Sequence, residues 1–167
     1  ILNNIYLIGM MGTGKSTIGK LLSEDMDYAY CDTDTMIEKK FNLSITEIFQ
    51  KFGEEVFRNV ETEMLKSIDN SVVSCGGGII LKEKNRIIIN NSGRTFLLVC
   101  EIDELLNRLK GSKTRPLLNT KDPASFLNDM WEKRRKLYHE AADYILDVNQ
   151  KSIYKVVNEI IKEIEND

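Results

Sequence analysis

The amino-acid sequence predicts a three-layer α/β/α fold, in which a parallel β-sheet lies between two layers of helices. Short, nearly continuous apolar runs alternate along the chain with longer amphipathic stretches, a pattern typical of strands that are covered on both faces. A glycine-rich loop joins the first apolar run to the first amphipathic stretch. With 167 residues, of which 42% are hydrophobic, the chain is expected to form one domain, 1–167, around its own core.

The apolar runs predict five strands, at 4–8, 28–31, 72–75, 95–100 and 144–148. The amphipathic stretches predict helices at about 15–26, 45–68, 82–90, 103–110, 124–142 and 151–165. Alternation of strand and helix favours right-handed crossovers that make the strands parallel. One segment with loop chemistry, 111–123, contains both prolines and four charged residues. Two interpretations of it stay open, a mobile lid over a ligand and an ordinary surface connection.

Composition and charge exclude several classes of protein. The net charge is −3, so the chain lacks the broad basic field with which proteins hold nucleic acid. No apolar run approaches the roughly 20 residues that span a bilayer, and the first residues do not have the layout of a signal peptide. Cys31, Cys75 and Cys100 each end an apolar run without CxxC spacing, which favours buried free thiols over disulfides or a metal site. We therefore expect a cytoplasmic protein that binds neither nucleic acid nor membrane.

The loop after the first predicted strand has the phosphate-binding pattern Gly9-x4-Gly14-Lys15-Ser16. Its position between a strand and a helix makes the pattern specific, because glycines let successive backbone N–H groups converge on phosphate oxygens at the helix N-terminus. The lysine can contact the β- and γ-phosphates, and the serine hydroxyl can bind Mg²⁺. The residues expected to contact a nucleoside triphosphate are Gly12, Thr13, Gly14, Lys15, Ser16 and Thr17.

Two aspartates are the best candidates for supporting the metal. A switch GTPase is disfavoured because the sequence has no Asp-x-x-Gly motif, and the strand predicted at 72–75 lacks the usual metal-supporting acid. Asp32 and Asp34 follow the second predicted strand, at the sheet edge where α/β proteins collect ligands. In an extended segment both side chains point the same way, so one carboxylate could support Mg²⁺ through water while the other faces an acceptor hydroxyl. The alternative is that one or both only cap the next helix.

Two features predict an anionic acceptor at the same edge of the sheet. Gly76, Gly77 and Gly78 follow the third predicted strand, and three successive glycines favour the close approach of a ligand over a simple tight turn. Arg134 falls in the middle of the apolar stripe of its predicted helix, whereas the neighbouring basic residues fall outside it. A guanidinium directed into a core needs an anion, which is either a ligand carboxylate or phosphate, or a buried acidic side chain.

Periodicity assigns the other candidate residues differently. Arg58 lies about 120° from the centre of the apolar face of its helix, so the helical pattern alone makes it a surface residue. Glu61, nearer the apolar face, is then its i+3 partner. Arg115 lies in the 111–123 segment, where it is either a solvated charge or a cation that closes on a transferring phosphoryl group. The single histidine, His139, lies among charged residues and is given no role.

Taken in order, these segments resemble the shikimate kinase family. The matching segments run from about Ile5 to Val148, and they are GMMGTGKSTIGKLL, CDTDTMIE, LSITEIFQKFGEEVFRNVE, SCGGGII, TRPLL and KRRKLY. The resemblance implies a nucleoside-monophosphate-kinase-like P-loop fold with strand order 2-3-1-4-5. It also implies a monomeric enzyme of aromatic amino-acid biosynthesis, which transfers a phosphoryl group from ATP to the 3-hydroxyl of shikimate with the help of Mg²⁺.

On the ATP side, the resemblance implies roles for five residues. Lys15 would contact the transferring phosphate, and Ser16 would bind Mg²⁺, with Asp32 helping through water. Arg108 would pack on adenine. Arg115 would close over the phosphates as part of a lid at about 111–123.

On the shikimate side, the resemblance implies that helices within about 33–61 contribute to the pocket. Asp34 would contact the acceptor hydroxyls and act as base, and Arg58 and Arg134 would hold the carboxylate. The backbone of the triple glycine would line the same pocket, and Phe49, Phe57 and Glu61 match positions around it. For Arg58 we follow the resemblance over the helical pattern, because a residue at the edge of a helix can face a cleft.

Other functions stay open from the residues alone. A kinase of a sugar acid such as gluconate, or of a nucleotide, would use the same phosphate-binding loop. A nucleotide acceptor calls for more basic residues than the three or four arginines placed here. A non-catalytic nucleotide-binding module is the alternative outside enzymes.

Overall fold

The computed structural model describes residues 4–110 and 120–167. Within them one parallel sheet is formed by the strands β1 (Asn4–Ile8), β2 (Ala29–Asp32), β3 (Ser71–Ser74), β4 (Gly93–Val99) and β5 (Tyr144–Asp147). The strand order is β2-β3-β1-β4-β5, which confirms the predicted sheet and its order. Because β1 is central, the loop that follows it opens at the middle of the sheet's carboxyl edge.

The helices of the described residues alternate with these strands. They are α1 (Lys15–Met26), α2 (Thr33–Phe41), α3 (Ile45–Phe52), α4 (Glu54–Ser67), α5 (Glu83–Ser92), α6 (Ile102–Leu109), α7 (Pro123–Ala141) and α8 (Ile153–Glu165). A short 3-10 helix, Ile79–Leu81, follows β3.

The sheet has a core on each face, because successive residues of a strand point in opposite directions. In β1, Ile5 and Leu7 pack in a core shared with α1 and α8. Tyr6 and Ile8 pack in the opposite core, which is shared with α4, α5 and α7. All four side chains are fully buried. The predicted three-layer arrangement is therefore confirmed, and it explains why the inner strands β1, β3 and β4 appear in the sequence as continuous apolar runs.

The structure corrects the sequence prediction between β2 and β3. Helix α2 is absent from the predicted helices, and the helix predicted at 45–68 is two helices, α3 and α4, joined at Gly53. Gly53 has a φ of 85°, a left-handed conformation in which a helix does not continue. The new helix start is encoded locally, since Ser44 and Glu47 form a capping box at α3. The helices α2, α3 and α4 share a small core of Ile37, Ile48 and Phe57.

The predictions for the 111–123 segment, the cysteines and the location of the protein have different outcomes. Helix α7 begins at Pro123 with Asp122 as its N-cap, whereas 111–119, including Arg115, lie outside the described residues, so the lid stays a prediction. Cys75 is buried as predicted, but Cys31 and Cys100 are half-buried, contrary to the prediction. No helix in the described part of the chain is long and apolar enough to cross a membrane. Cytoplasmic location and monomeric state stay predictions.

Candidate active site

A cleft of about 1440 Å³ opens at the carboxyl edge of the sheet. It is lined by the loop after β1, the start of α2, the segment after β3, and parts of α3, α4, α6 and α7. A pocket for one small-molecule ligand typically measures about 300–1,000 Å³. The cleft is therefore large enough to hold two ligands side by side.

The loop between β1 and α1, residues 9–14, is called the P-loop below. Gly9, Gly12 and Gly14 have φ values of 142°, 85° and 92°, which other residues rarely adopt. Met10 is 3% exposed and packs in the core beneath the loop, and the Thr13 hydroxyl donates to its carbonyl oxygen at 2.8 Å. This tight turn leaves the start of α1 facing the cleft, and all of residues 12–17 line it, as the phosphate-binding pattern predicts.

Two cations flank the P-loop. Lys15 Nζ donates to two carbonyl oxygens of the loop, at 2.7 and 2.9 Å. Arg108 on α6 donates to a third, that of Gly12, at 3.3 Å. Arg108 is also held by Glu104 at 3.1 Å and by the carbonyl oxygen of Val148 at 3.2 Å. Both predicted nucleotide contacts therefore lie at the same end of the cleft.

Asp32 connects the P-loop helix to α2. Its Oδ2 accepts a hydrogen bond from the Ser16 hydroxyl at 2.9 Å. Its Oδ1 accepts the backbone N–H of Thr35 at 3.1 Å, because Asp32 is the N-cap of α2. The structure confirms that Asp32 caps the helix, and its other oxygen faces Ser16, so the metal-supporting role stays a prediction.

The expectation that Asp34 lies in an extended segment is wrong. Strand β2 ends at Asp32, and Asp34 lies in the first turn of α2. It still lines the cleft, beside the triple glycine: a β-carbon added to Gly76 would lie 2.5 Å from Asp34 Oδ1. Burial, reinforced by the charge of Asp32, raises the pKa of Asp34 above its ordinary value, and Lys15 opposes this effect.

The residues near the P-loop fit a magnesium ion whose coordination would be completed by phosphate oxygens. Ser16 and Asp32 offer neighbouring oxygen ligands at the cleft surface, and oxygen is what Mg²⁺ prefers. Among residues 4–110 and 120–167, no group of three or more His, Cys, Asp or Glu side chains is placed to hold a metal. In phosphotransferases, Mg²⁺ is usually bound by a few protein oxygens together with substrate phosphates and water.

Arg58 is not a surface residue, contrary to the helical pattern. Its side chain is only 12% exposed, and its guanidinium contacts Glu61 at 2.7 Å and Glu54 at 3.4 Å. The rings of Phe49 and Phe57 lie 5.9 and 5.1 Å from its Cζ. The helical pattern failed because it measures only the face that packs on the sheet, whereas α4 also faces α3 and the cleft. Glu61, which is fully buried, does have the predicted i+3 contact.

The triple glycine gives three charged side chains room to approach the backbone. A β-carbon on Gly76 would meet Asp34, and one on Gly78 would lie 2.6 Å from Nη1 and 2.7 Å from Cζ of Arg58. These distances are shorter than real β-carbons show, so substitution would displace the charged groups. None of the three glycines has a positive φ, so free space, and not backbone conformation, is what they provide.

Arg134 on α7 points toward the same glycines, as its place in the apolar stripe predicts. It is half-buried while the flanking basic residues are exposed, and its Nη1 would lie 3.5 Å from a β-carbon on Gly77. Sequence reasoning missed Tyr138, one turn further along α7. This tyrosine is fully buried, and its hydroxyl donates to the Gly77 carbonyl oxygen at 2.6 Å. Its only sequence signal is its position on the apolar stripe, which does not distinguish it from an ordinary core residue.

The fold and the cleft together define a P-loop phosphotransferase. One end of the cleft has a phosphate-binding loop with its lysine and serine, and the other end has two arginines around a glycine segment. The two ends adjoin, because a β-carbon on Gly77 would lie 3.7 Å from the carbonyl oxygen of Gly9.

Comparison with known proteins identifies the family. The shikimate kinase family model matches residues 11–165. A shikimate kinase of Thermodesulfovibrio yellowstonii is 38% identical over 98% of this chain and 96% of its own length. A shikimate kinase of Acinetobacter baumannii, solved in complex with shikimate, has a TM-score of 0.93 and 36% identity over 99% of this chain and 94% of its own. One from Aquifex aeolicus has a TM-score of 0.83 and 38% identity over 97% and 96%.

The chain belongs to the shikimate kinase family and is a kinase. Similarity to a gluconokinase of Sinorhizobium meliloti is much weaker, with a TM-score of 0.54 and 17% identity, and it shows a shared fold alone.

Proposed function

We propose that this protein transfers the γ-phosphoryl group of ATP to the 3-hydroxyl of shikimate, giving ADP and shikimate 3-phosphate. The observation that carries the proposal is the position of Arg58 and Arg134, which both lie against the triple glycine in the cleft that contains the P-loop. Two guanidiniums around one small pocket suit an acceptor with a single carboxylate, since arginine matches carboxylate geometry. Membership of the shikimate kinase family supports the same acceptor.

The ATP end would act mainly by positioning and by neutralising charge. Residues 12–17 present backbone N–H groups and a helix N-terminus to the phosphates, and Lys15 would turn from its carbonyl contacts to the transferring phosphate. Arg108 would pack beside the adenine. Arg115 would add a further cation from the 111–123 segment.

Mg²⁺ would be held by Ser16, and by Asp32 through water, and it would neutralise charge on the β- and γ-phosphates. Asp32 is suited to this role because Oδ2 faces Ser16 while Oδ1 is occupied by capping α2. The protein therefore fixes the direction of this carboxylate before a metal binds.

At the acceptor end, Asp34 would bind the acceptor hydroxyl and accept its proton. Its raised pKa makes it a stronger base than an ordinary aspartate, because a group that holds its proton more tightly also accepts one more readily. In phosphoryl transfer the attacking oxygen needs little activation, so correct placement of the hydroxyl contributes more than proton removal.

The test is an assay of ADP release with purified protein, MgATP and each of shikimate, gluconate and AMP as acceptor. We expect turnover with shikimate and, with the other two, no more ADP than an acceptor-free control. Turnover only with gluconate or AMP would assign a different acceptor. Lack of turnover with all three would overturn the proposed acceptor.

A further inference from the structure

Glu61 is a fully buried carboxyl group with only one of its two oxygens satisfied. Oε1 accepts a hydrogen bond from Arg58 at 2.7 Å. Oε2 has no hydrogen-bond partner among the described residues, although the side chain is 0% exposed. If Glu61 is ionised, Oε2 loses its hydrogen bonds to water and gains none from the described residues, which is unfavourable. A proton on Oε2 would remove that charge and turn an unsatisfied acceptor into a donor.

A second carboxyl group, that of Asp34, lies on the same side of the glycine segment. The space that a β-carbon on Gly76 would fill is 2.5 Å from Asp34 Oδ1 and 3.2 Å from Glu61 Oε2. The two carboxyl groups thus meet at the same point of the glycine segment, on the acceptor side of the cleft. A protonated Glu61 can share that space with Asp34, whereas two carboxylates there repel each other.

The charged and titratable groups that influence Glu61 come from every element around it: Arg58 on α4, Arg134 on α7, Asp34 on α2 and Cys75 after β3. Behind Asp34 lie Lys15, Asp32 and Glu38. Burial raises the pKa of Glu61 to about 7, even though Arg58 and Arg134 oppose the shift. Burial also raises the pKa of Cys75, so its thiol stays neutral.

We propose that binding of the acceptor carboxylate is coupled to the uptake of one proton by Glu61. This inference rests on the proposed function, which brings a carboxylate to Arg58 and Arg134. Before binding, the Arg58 and Arg134 guanidiniums lie near two poorly exposed carboxyl groups, those of Asp34 and Glu61, while Arg58 also contacts the mostly exposed Glu54. The acceptor adds a third anion and competes with Glu61 for Arg58, so the most deeply buried carboxyl group gives up its charge.

The linkage predicts the direction of the pH dependence. Below about pH 7, free Glu61 already carries its proton, so acceptor binding takes up none. At higher pH, free Glu61 is ionised and binding must bring a proton, so acceptor affinity falls, by at most about tenfold per pH unit. An ordinary carboxylic acid such as the acceptor stays ionised throughout this range and contributes no proton exchange.

Isothermal titration calorimetry with shikimate, without nucleotide, tests the coupling. Titrations at about pH 6 and about pH 8, each in two buffers of different ionisation enthalpy, give the number of protons taken up on binding. We expect uptake near zero at the lower pH and approaching one proton at the higher pH. Binding without uptake at the higher pH would overturn the inference while leaving the proposed function intact. Absence of shikimate binding and turnover at every pH would instead overturn the proposed function.

Two variants identify the group that takes up the proton. Glu61→Gln keeps the shape and cannot titrate, so uptake should vanish and shikimate affinity should become independent of pH. Glu54→Gln is the matched control, because Glu54 also contacts Arg58 but has a side chain that is 61% exposed. Uptake should persist in this control. Uptake that persists in Glu61→Gln, or that is lost in Glu54→Gln, would overturn the assignment.

A measurement on the unmodified protein covers the case in which Glu61→Gln does not fold. Difference infrared spectroscopy at about pH 8 records the carbonyl stretch of protonated carboxyl groups, which ionised carboxylates lack. We expect addition of shikimate to produce such a band. A spectrum without it would contradict the proposal.

Discussion

The segment Gly76–Gly78 lies against three charged side chains, and the role of each glycine follows from what a β-carbon there would meet. On Gly78, the nearest atoms belong to the guanidinium of Arg58, which is held from the other side by Glu61. On Gly77, the nearest atom is Arg134 Nη1 at 3.5 Å, an ordinary van der Waals distance. Alanine substitutions at Gly77 and Gly78 can therefore show whether a glycine leaves space for a protein side chain or for a ligand.

Gly78→Ala should raise the KM for shikimate by about tenfold or more, because a displaced charge-assisted hydrogen bond is worth about 1.5–3 kcal/mol. The KM for ATP should change little. The φ of −93° at Gly78 suits alanine, so any fall in the unfolding temperature reports the displacement of Arg58 from the buried Glu61 and not backbone strain. Steady-state kinetics of Gly78→Ala and Gly77→Ala side by side give the measurement, with a smaller effect expected for the second. Equal losses in both variants would indicate that the glycines serve the approach of the ligand itself.

The residues of the site were unequally predictable from the sequence. Arg134 could be identified because the helical pattern of the sequence already places this charged residue among apolar ones. Arg58 does not, because its burial comes from the neighbouring α3 and from Glu61, and these contacts are invisible to a single-helix pattern. The orphaned oxygen of Glu61 is a property of three-dimensional packing, and no spacing in the sequence encodes it.

At the scale of secondary-structure elements, the junction of β2 and α2 combines two functions in one side chain. Asp32 is both the N-cap of α2 and the hydrogen-bond partner of Ser16. The cap orients Oδ1 along the helix, which leaves Oδ2 directed at the P-loop helix. Capping therefore aligns the carboxylate that we propose to support the metal.

Asp32→Ser and Asp32→Ala should separate these two functions. Serine is a good N-cap but its hydroxyl is too short and uncharged to replace Oδ2, so this variant should keep the wild-type stability and lose most turnover. Alanine should lose turnover and, in addition, about 1 kcal/mol of unfolding free energy. Urea unfolding and the Mg²⁺ dependence of turnover are the measurements. Wild-type turnover in Asp32→Ser would show that the carboxylate serves only as a cap.

The boundaries of secondary-structure elements were predicted best for the elements that form or cover the sheet. The five strands and the helices that cover the sheet were identified. The inner strands β1, β3 and β4 bury continuous runs, whereas the edge strands β2 and β5 are only partly buried. The segment between β2 and β3 was not resolved into three helices, since α2, α3 and α4 pack mainly on one another around Ile37, Ile48 and Phe57. The break at Gly53 depends on a positive φ, and a glycine in a sequence does not show whether it adopts one.

At the scale of the whole molecule, the central position of β1 brings the two ends of the cleft together. The apolar runs predict parallel strands, but periodicity contains no information on strand order, which came from the family resemblance. The order β2-β3-β1-β4-β5 places β3 directly beside β1. The P-loop after β1 and the glycine segment after β3 are consequently neighbours, as transfer between two bound substrates requires.

The buried carboxyl group of Glu61 should also affect the stability of the whole protein. The pKa of Glu61 is raised by burial from an ordinary value of 4.5 to about 7, so the folded state holds the proton more tightly than the unfolded state. Its contribution to stability is then present at low pH and is lost as the pH rises from about 4.5 to about 7. At about 1.4 kcal/mol per pH unit, the total is about 3 kcal/mol.

Other acids also titrate in this range, so the prediction concerns the difference between Glu61→Gln and the unmodified protein. Glutamine cannot ionise, so its own contact with Arg58 does not change with pH. The variant should therefore gain stability relative to wild type, by up to about 3 kcal/mol, between about pH 5 and about pH 8. Urea unfolding at both pH values, without substrates, measures this difference. Glu54→Gln, which replaces a mostly exposed partner of Arg58, should show no such gain. A constant difference for Glu61→Gln would mean that the pKa of Glu61 is not raised on folding, which would contradict the prediction.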